Sequence, residues 1–429
     1  MRQHLLTAFA VCALALPATA TDIYQPPINY ETAPADNAVT RLQKQLATGQ
    51  KKLTFEDDRG YLKSVLAALD VPESSQVLVF SKTSLQRSRI TPKTPRAIYF
   101  NDDVYIGFCL RGDVMEVSVA DKALGTVFYT LDQQPTDRPR FQRQNDNCMI
   151  CHASSSNRGL PGHLMRSVHP DRTGEPMVGS GSYRTDDTSE YPDRWGGWYV
   201  TGTHGKTSHM GNWLFRTRRD LDEPENPSDN RNLTDLRQHF STGPYLTPHS
   251  DLVALCVFGH QTSIHNKLVH AALETRSARY YETELNKALN EPAGKRWDSA
   301  LSRIKGAGDE LVKAMVFSGE ANPGEKLEGT SGFAKEFAAR GPFDKRGRSL
   351  RQFDLTTRLF KYPCSFLIYS EAFKELPTEV KDYVLRRLYD VLTGKDRDKA
   401  FDHLSAADKL AILEILRDTL PDLPGYWKE

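Results

Sequence analysis

Cys148, Cys151 and His152 stand at the spacing Cys-x-x-Cys-His, within Asn145-Asp-Asn-Cys-Met-Ile-Cys-His152. Those residue types at that spacing suit covalent attachment of haem. Two thiols add across the two vinyl groups of the porphyrin, and the adjacent imidazole takes one axial position on the iron. Other chemistries also use paired cysteines. A structural zinc site needs a second ligand pair of the same kind, and no second Cys-x-x-Cys occurs in the chain. A thiol–disulfide motif belongs in a βαβ setting and has no use for the histidine. The motif therefore predicts one covalent haem c, with His152 as the proximal ligand.

The sixth position on the iron decides what such a centre does. A protein side chain there gives an electron carrier; water or nothing leaves room for a small molecule. His209 and His260 are the leading distal candidates. His209 lies in a Trp- and Gly-rich stretch, Arg194-Trp-Gly-Gly-Trp-Tyr-Val-Thr-Gly-Thr-His204 and on to Asn212, whose glycines at 202, 205 and 211 admit a flat ligand. His260 shares a helical face with Val253, Val257 and Ile264 and points toward a core. His204, Met210 and His265 are weaker candidates. His265 falls on a different side of that helix from His260. His204 and His209 could also share a second metal, though two histidines are an incomplete set. Met165 and Met177 offer a thioether route. Arg166, Arg184, Arg194 and Arg358 are candidate partners for the haem propionates. His163, His169 and His270 read as structural or surface residues.

Composition sets the setting. The chain has 429 residues, with 56 Lys+Arg against 55 Asp+Glu. That balance gives no polyanion-binding surface, so nucleic acid is not an expected partner. Residues 1–20 read as a cleavable export signal: Arg2, an apolar run over residues 5–16, then Ala18-Thr19-Ala20. Val11 before Cys12 argues against a lipid anchor. No later stretch is long and apolar enough to cross a bilayer. Export and haem attachment support each other, since bacterial c-type haem is attached after export. A periplasmic protein with no transmembrane anchor is expected. Its partner would be a periplasmic redox protein or a small-molecule substrate. Cys109, Cys256 and Cys364 read as buried thiols.

The elements that must hold this motif follow from periodicity. Residues 22–35 read as an extended arm, and 37–50 and 60–69 as short helices. Short β-branched and aromatic runs then begin at residues 77, 97, 104, 114 and 126, with turns at Asn101-Asp-Asp103 and Arg111-Gly-Asp113. They predict a small antiparallel sheet packed against the haem segment. Residues 132–147 read as a polar connection. A short helix should open at Cys148. Residues 154–250 show little regular pattern, and their aromatics suggest an ordered wrap around the cofactor. Residues 222–229 are the expected mobile part. After residue 250 the chain reads as helical, with stripes over 251–280 and 380–392 and a capped helix from Ser405. The predicted class is α+β. Its expected division is 1–20 signal, 21–140 α+β region with the sheet, 141–275 haem c segment and 276–429 helical region.

The chain resembles a family of uncharacterised exported bacterial proteins with a single c-type haem motif. The resemblance rests on Pro95-Arg-Ala-Ile-Tyr-Phe-Asn-Asp-Asp-Val-Tyr105, the Cys148–His152 motif, Arg158-Gly-Leu-Pro-Gly-His-Leu164, residues 194–212, His260-Gln and His265-Asn266, and Tyr362-Pro-Cys-Ser-Phe-Leu-Ile-Tyr369. It implies a mono-haem protein and brings no reaction with it. The expected function is one-electron transfer at one haem. Alternatives are a haem oxidase, peroxidase or oxygenase with an open or displaceable distal site, and a haem-based sensor or docking subunit. Whether it is an enzyme, a haem c oxidoreductase, stays open at this stage.

Overall fold

The computed structural model describes residues 21–217 and 232–428. The expected export signal and the acidic stretch 222–229 lie outside these residues. Residues 22–35 form a run of turns instead of an extended arm, and they bury Ile23, Ile28 and Tyr30. The reason is that Tyr30 is anchored: its hydroxyl donates to the Thr126 carbonyl at 2.7 Å. Two short helices follow, α1 (Ala38–Ala47) and α2 (Leu62–Ala68). Asn37 opens α1 with a capping box, its side chain accepting from the Val39 and Thr40 amides.

Six strands then form one antiparallel sheet in chain order. They are β1 (Val77–Val79), β2 (Arg96–Phe100), β3 (Val104–Phe108), β4 (Val114–Asp121), β5 (Gly125–Asp132) and β6 (Phe141–Arg143). The sixth lies inside the expected polar connection; three residues are too short for an alternating pattern to show. Burial alternates strictly along β4. Met115, Val117 and Val119 join Ile106 and Tyr99 in a core with α1, α2 and the arm. On the opposite face the register aligns Phe100, Tyr105, Ser118 and Phe128 in one row across β2 to β5. The next row places Gly107 opposite Glu116, and Glu116 opposite Thr130.

The Cys148–His152 motif sits on α3 (Asn147–His152), directly after β6. A small hairpin, β7 (Arg166–Val168) with β8 (Ser182–Arg184), follows. The Trp-rich segment runs along the free edge of β1: the Tyr199 amide donates to the Leu78 carbonyl, and the Phe80 amide to the Gly197 carbonyl. It ends in β9 (Gly202–Thr203).

The helical half is built on α4 (Leu252–Ala288). Asp251 caps it, accepting from the amides of Val253 and Ala254. From Leu252 to Thr262 every residue is buried, so this end of the helix is wrapped on all sides. It packs on the sheet through a core that includes Val77, Ile98, Phe100 and Tyr105. α5 (Asp298–Met315) lies against α4, β10 (Glu328–Gly329) pairs with β9, and α6 (Phe333–Ala339), α7 (Glu371–Lys374), α8 (Thr378–Leu392) and α9 (Ala406–Thr419) complete the chain. The expected stripe on α8 is buried, and Ser405 and Asp408 form the expected cap of α9. The architecture is α+β, with an N-terminal antiparallel sheet and a mainly helical C-terminal half. No helix among the described residues is long and apolar enough to cross a membrane.

Candidate functional site

Helix α3 presents its three motif side chains differently. Cys148 is half-buried and Cys151 exposed, and neither is in a disulfide. Burial pushes the Cys148 thiol up to about 11. That is the reverse of the low-pKa thiolate a disulfide-exchange motif needs. His152 points Nδ1 at the Gly162 carbonyl, 2.7 Å away. A ring proton on Nδ1 leaves the Nε2 lone pair available as a metal donor. Ligating histidines are commonly oriented this way by a carbonyl on the other nitrogen. Burial lowers the His152 pKa, which favours the neutral, ligating form. The Phe128 ring, 4.5 Å away between centroids, backs the imidazole from the sheet.

The Gly162 carbonyl is itself held. Asn266 on α4 accepts from the His163 amide at 2.8 Å and donates to the His163 carbonyl at 2.7 Å. Asn157 donates to the Leu160 carbonyl at 2.7 Å. A Cβ on Gly162 would lie 2.2 Å from both Asn157 Nδ2 and Asn266 Oδ1. Only glycine lets the two amides close on this turn. The sequence carries no signal for the role of Asn266 beyond its place in the run His265-Asn266, and His163 was expected only as a structural or surface residue. The nearest signal was the Leu-Pro-Gly-His run shortly after the motif.

His163 is buried beneath the site. Its Nε2 is 3.0 Å from the Ser118 hydroxyl, and its ring packs on Tyr105. It therefore takes the structural one of the two roles expected of it. Burial, with His265 and His152 nearby, pulls its pKa well below the usual range. Next to this row Arg96 and Glu116 form a part-buried ion pair. Gly107 makes room for it, since a Cβ there would meet Arg96 Nη2 at 2.3 Å.

The expected distal candidates are each hydrogen-bonded within the protein. His260 has both nitrogens engaged in the core: Nδ1 faces Asp187 Oδ2 at 3.2 Å and Nε2 faces the Ser365 hydroxyl at 2.8 Å. Its ring also stacks on Phe317. No nitrogen of His260 remains for iron in this arrangement. His209 accepts from the Gly211 amide through Nδ1 and meets His204 Nε2 through Nε2, at 3.2 Å. The His204 ring nitrogen also takes the Asn232 amide proton. Among the described residues no group of three or more His, Cys, Asp or Glu is arranged to hold a metal. Met210 is buried with its sulfur 3.6 Å from the Ser167 hydroxyl. His265 is bonded to Tyr105. The glycines of the Trp-rich segment admit the protein itself, not a flat ligand. A Cβ on Gly202 would strike Leu252 and the Glu328 carbonyl, one on Gly205 would press on Glu325, and one on Gly211 would strike Val200.

Two of the four propionate candidates are likewise structural. Arg194 donates to the Ser189 and Asp187 carbonyls, and Arg358 pairs with Asp408. Arg166 and Arg184 are exposed on the β7–β8 hairpin, and Arg184 reaches the Ser156 carbonyl just past the motif at 2.6 Å. Apolar side chains lie open here: Ile150, between the two cysteines, is 74% exposed, and Val178, in the hairpin loop, is 87% exposed.

Asp187, His260 and Ser365 have the connectivity of a hydrolytic triad. Ser365 is wholly buried and its hydroxyl caps a turn at Leu367, so no substrate reaches it. A cleft of about 690 Å³ between α1, α2 and the helical half is lined by Arg41, Asp102, Asp103, Arg340, Arg351 and Glu371, and contains none of the motif residues. No family model matches the chain, and no curated protein or solved structure matches it either.

Proposed function

We propose that this chain is an exported, periplasmic mono-haem c protein that carries out one-electron redox chemistry. Cys148 and Cys151 hold the porphyrin and His152 is the proximal ligand. The observation that carries the reading is the His152 geometry: Nδ1 is tied to the Gly162 carbonyl, and Nε2 is left as the donor. The exposed, unpaired Cys151 and the apolar surface at Ile150 fit a group that attaches there. Arg166 and Arg184 would face its propionates. Haem supplies the one-electron couple; the chain orients the ligand, keeps it neutral and covers it on the sheet side.

The partner would be a periplasmic redox protein or a small molecule. One observation favours a second reading, an iron with an exchangeable sixth position: His260, His209 and Met210 are all bonded into the protein. Such a site would serve oxidase, peroxidase or sensor chemistry. Carbon monoxide separates the two, because a change in the ferrous spectrum requires a displaceable ligand. The attachment itself is tested with Cys151→Ala. Haem that survives denaturation, measured as the pyridine haemochrome, should fall to below about a tenth of the wild-type amount. Normal covalent haem in that variant would overturn the reading.

A further inference from the structure

Behind His152 the sheet and α4 enclose a second pair of groups suited to redox chemistry. The Tyr105 hydroxyl lies 2.8 Å from His265 Nδ1. Both side chains are buried, 4% and 3% exposed. Their setting differs from that of three other buried tyrosines. Tyr30, Tyr199 and Tyr245 give their hydroxyl hydrogen bonds to the carbonyls of Thr126, Pro92 and Pro95. A peptide carbonyl cannot take the proton; an imidazole can. An oxidised phenol is a strong acid, so a buried tyrosine loses an electron readily only where its proton has somewhere to go.

A continuous path joins this pair to the haem motif. The His152 ring donates to the Gly162 carbonyl, and the next residue is His163. The His163 ring stands 4.2 Å from the Tyr105 ring between centroids. From the proximal imidazole to Tyr105 the path is one hydrogen bond, one short stretch of chain and one ring contact. Phe128 makes a second bridge, 4.5 Å from His152 and 6.4 Å from His163.

We propose that Tyr105 and His265 form a redox-active pair coupled to the haem, with hydrogen peroxide as the oxidant. The inference rests on the haem reading above. Tyr105 gives one electron toward the haem along His163 and His152. In the same step its O–H bond breaks and an N–H bond forms at His265 Nδ1. A neutral tyrosyl radical and a protonated imidazole remain. With ferrous haem bound, each peroxide would take two electrons and two solvent protons and leave as two waters, one electron coming from Tyr105 and one from the iron, which would end ferric. The pair would hold an oxidising equivalent inside the protein, away from the iron.

The experiment uses the haem-loaded full chain, reduced to the ferrous state, then mixed with hydrogen peroxide and freeze-quenched for EPR. An organic radical with a tyrosyl line shape is expected, narrowed when the protein is made with ring-deuterated tyrosine. Tyr105→Phe should lower it at least five-fold with covalent haem content unchanged. His265→Gln, a milder change, should shorten its lifetime at least ten-fold. A radical that persists undiminished in Tyr105→Phe overturns the proposal, and so does its absence from wild-type protein with a full complement of haem. Wild-type protein without covalent haem defeats instead the reading on which the pair depends, a separate result read from the pyridine haemochrome.

Discussion

At the scale of single residues, the motif was legible because its three side chains stand together in one short run; its support was not. Cys148, Cys151 and His152 announce themselves in any reading of the chain. Asn266 does not, because it acts on backbone atoms a hundred residues away in sequence, and an isolated asparagine on a helix has no signature. Its two hydrogen bonds fix His163, and through it the Gly162 carbonyl that orients His152. Asn266→Ala leaves a partly buried amide and carbonyl unpaired, which should lower the unfolding free energy by on the order of 2–4 kcal/mol. On the haem reading proposed above it should also loosen the imidazole, so that acid would displace His152 from the iron at a higher pH than in wild type. A Soret titration and a urea melt measure the two effects; a variant unchanged in both would show that Asn266 is a bystander. His260 teaches the converse. Its helical face correctly placed it in the core, but burial alone could not distinguish a ligand from a histidine satisfied by Asp187 and Ser365.

At the scale of elements, strands and amphipathic helices were readable from period, whereas elements held by side chain to backbone bonds were not. The Trp-rich segment is the clearest instance. Asn212 bonds both the amide and the carbonyl of Val200, standing in for a neighbouring strand. The segment's glycines answer close packing by its own chain. Asp251 joins distant segments in the same way. Besides capping α4 it accepts from the Thr330 and Ser331 amides, and it is fully buried. Asp251→Ala should therefore destabilise the fold by about 3 kcal/mol or more, beyond the ~1 kcal/mol of an ordinary cap; a loss no larger than an ordinary cap would refute that. The turn between β2 and β3 meets the start of α7 at Asp103. Burial, then the charge of Asp102, pushes its carboxyl from 3.8 up to about 6. The folded chain thus holds this proton more tightly than the unfolded one. The resulting stability is complete below pH 3.8 and is lost as pH rises through about 6. Asp103→Asn should be more stable than wild type at pH 8, by on the order of 1–3 kcal/mol, and no more stable at pH 3.5. Equal urea midpoints at pH 8 would remove the argument.

At the scale of the whole molecule, the sheet and α4 are parts of one structure. The sheet buries one face on α1, α2 and the arm. The other face, with Val77, Ile98, Phe100 and Tyr105, is buried in a core dominated by the helical half. The sequence showed both halves, from the change of period after residue 250, but gave no measure of the surface they share. Alternation in the strands tells which residues alternate, not what covers the second face. The Cys148–His152 motif and its Gly162 turn lie between the two halves: Phe128 and Ser118 touch them from the sheet, Asn266 from α4. A fragment of residues 21–140 would expose an aromatic face and leave the edge of β1 without residues 197–199. Such a fragment has an open sheet edge and an uncovered apolar patch, the two features that promote association of chains. It should aggregate or remain unfolded, while the full chain melts in a single transition that α5 or α8 core substitutions shift as much for the sheet as for the helices. Amide exchange followed by mass spectrometry reads the two halves separately. If the sheet keeps its protection in a chain whose helical half has been selectively unfolded, the halves are independent and the site is merely a surface between them.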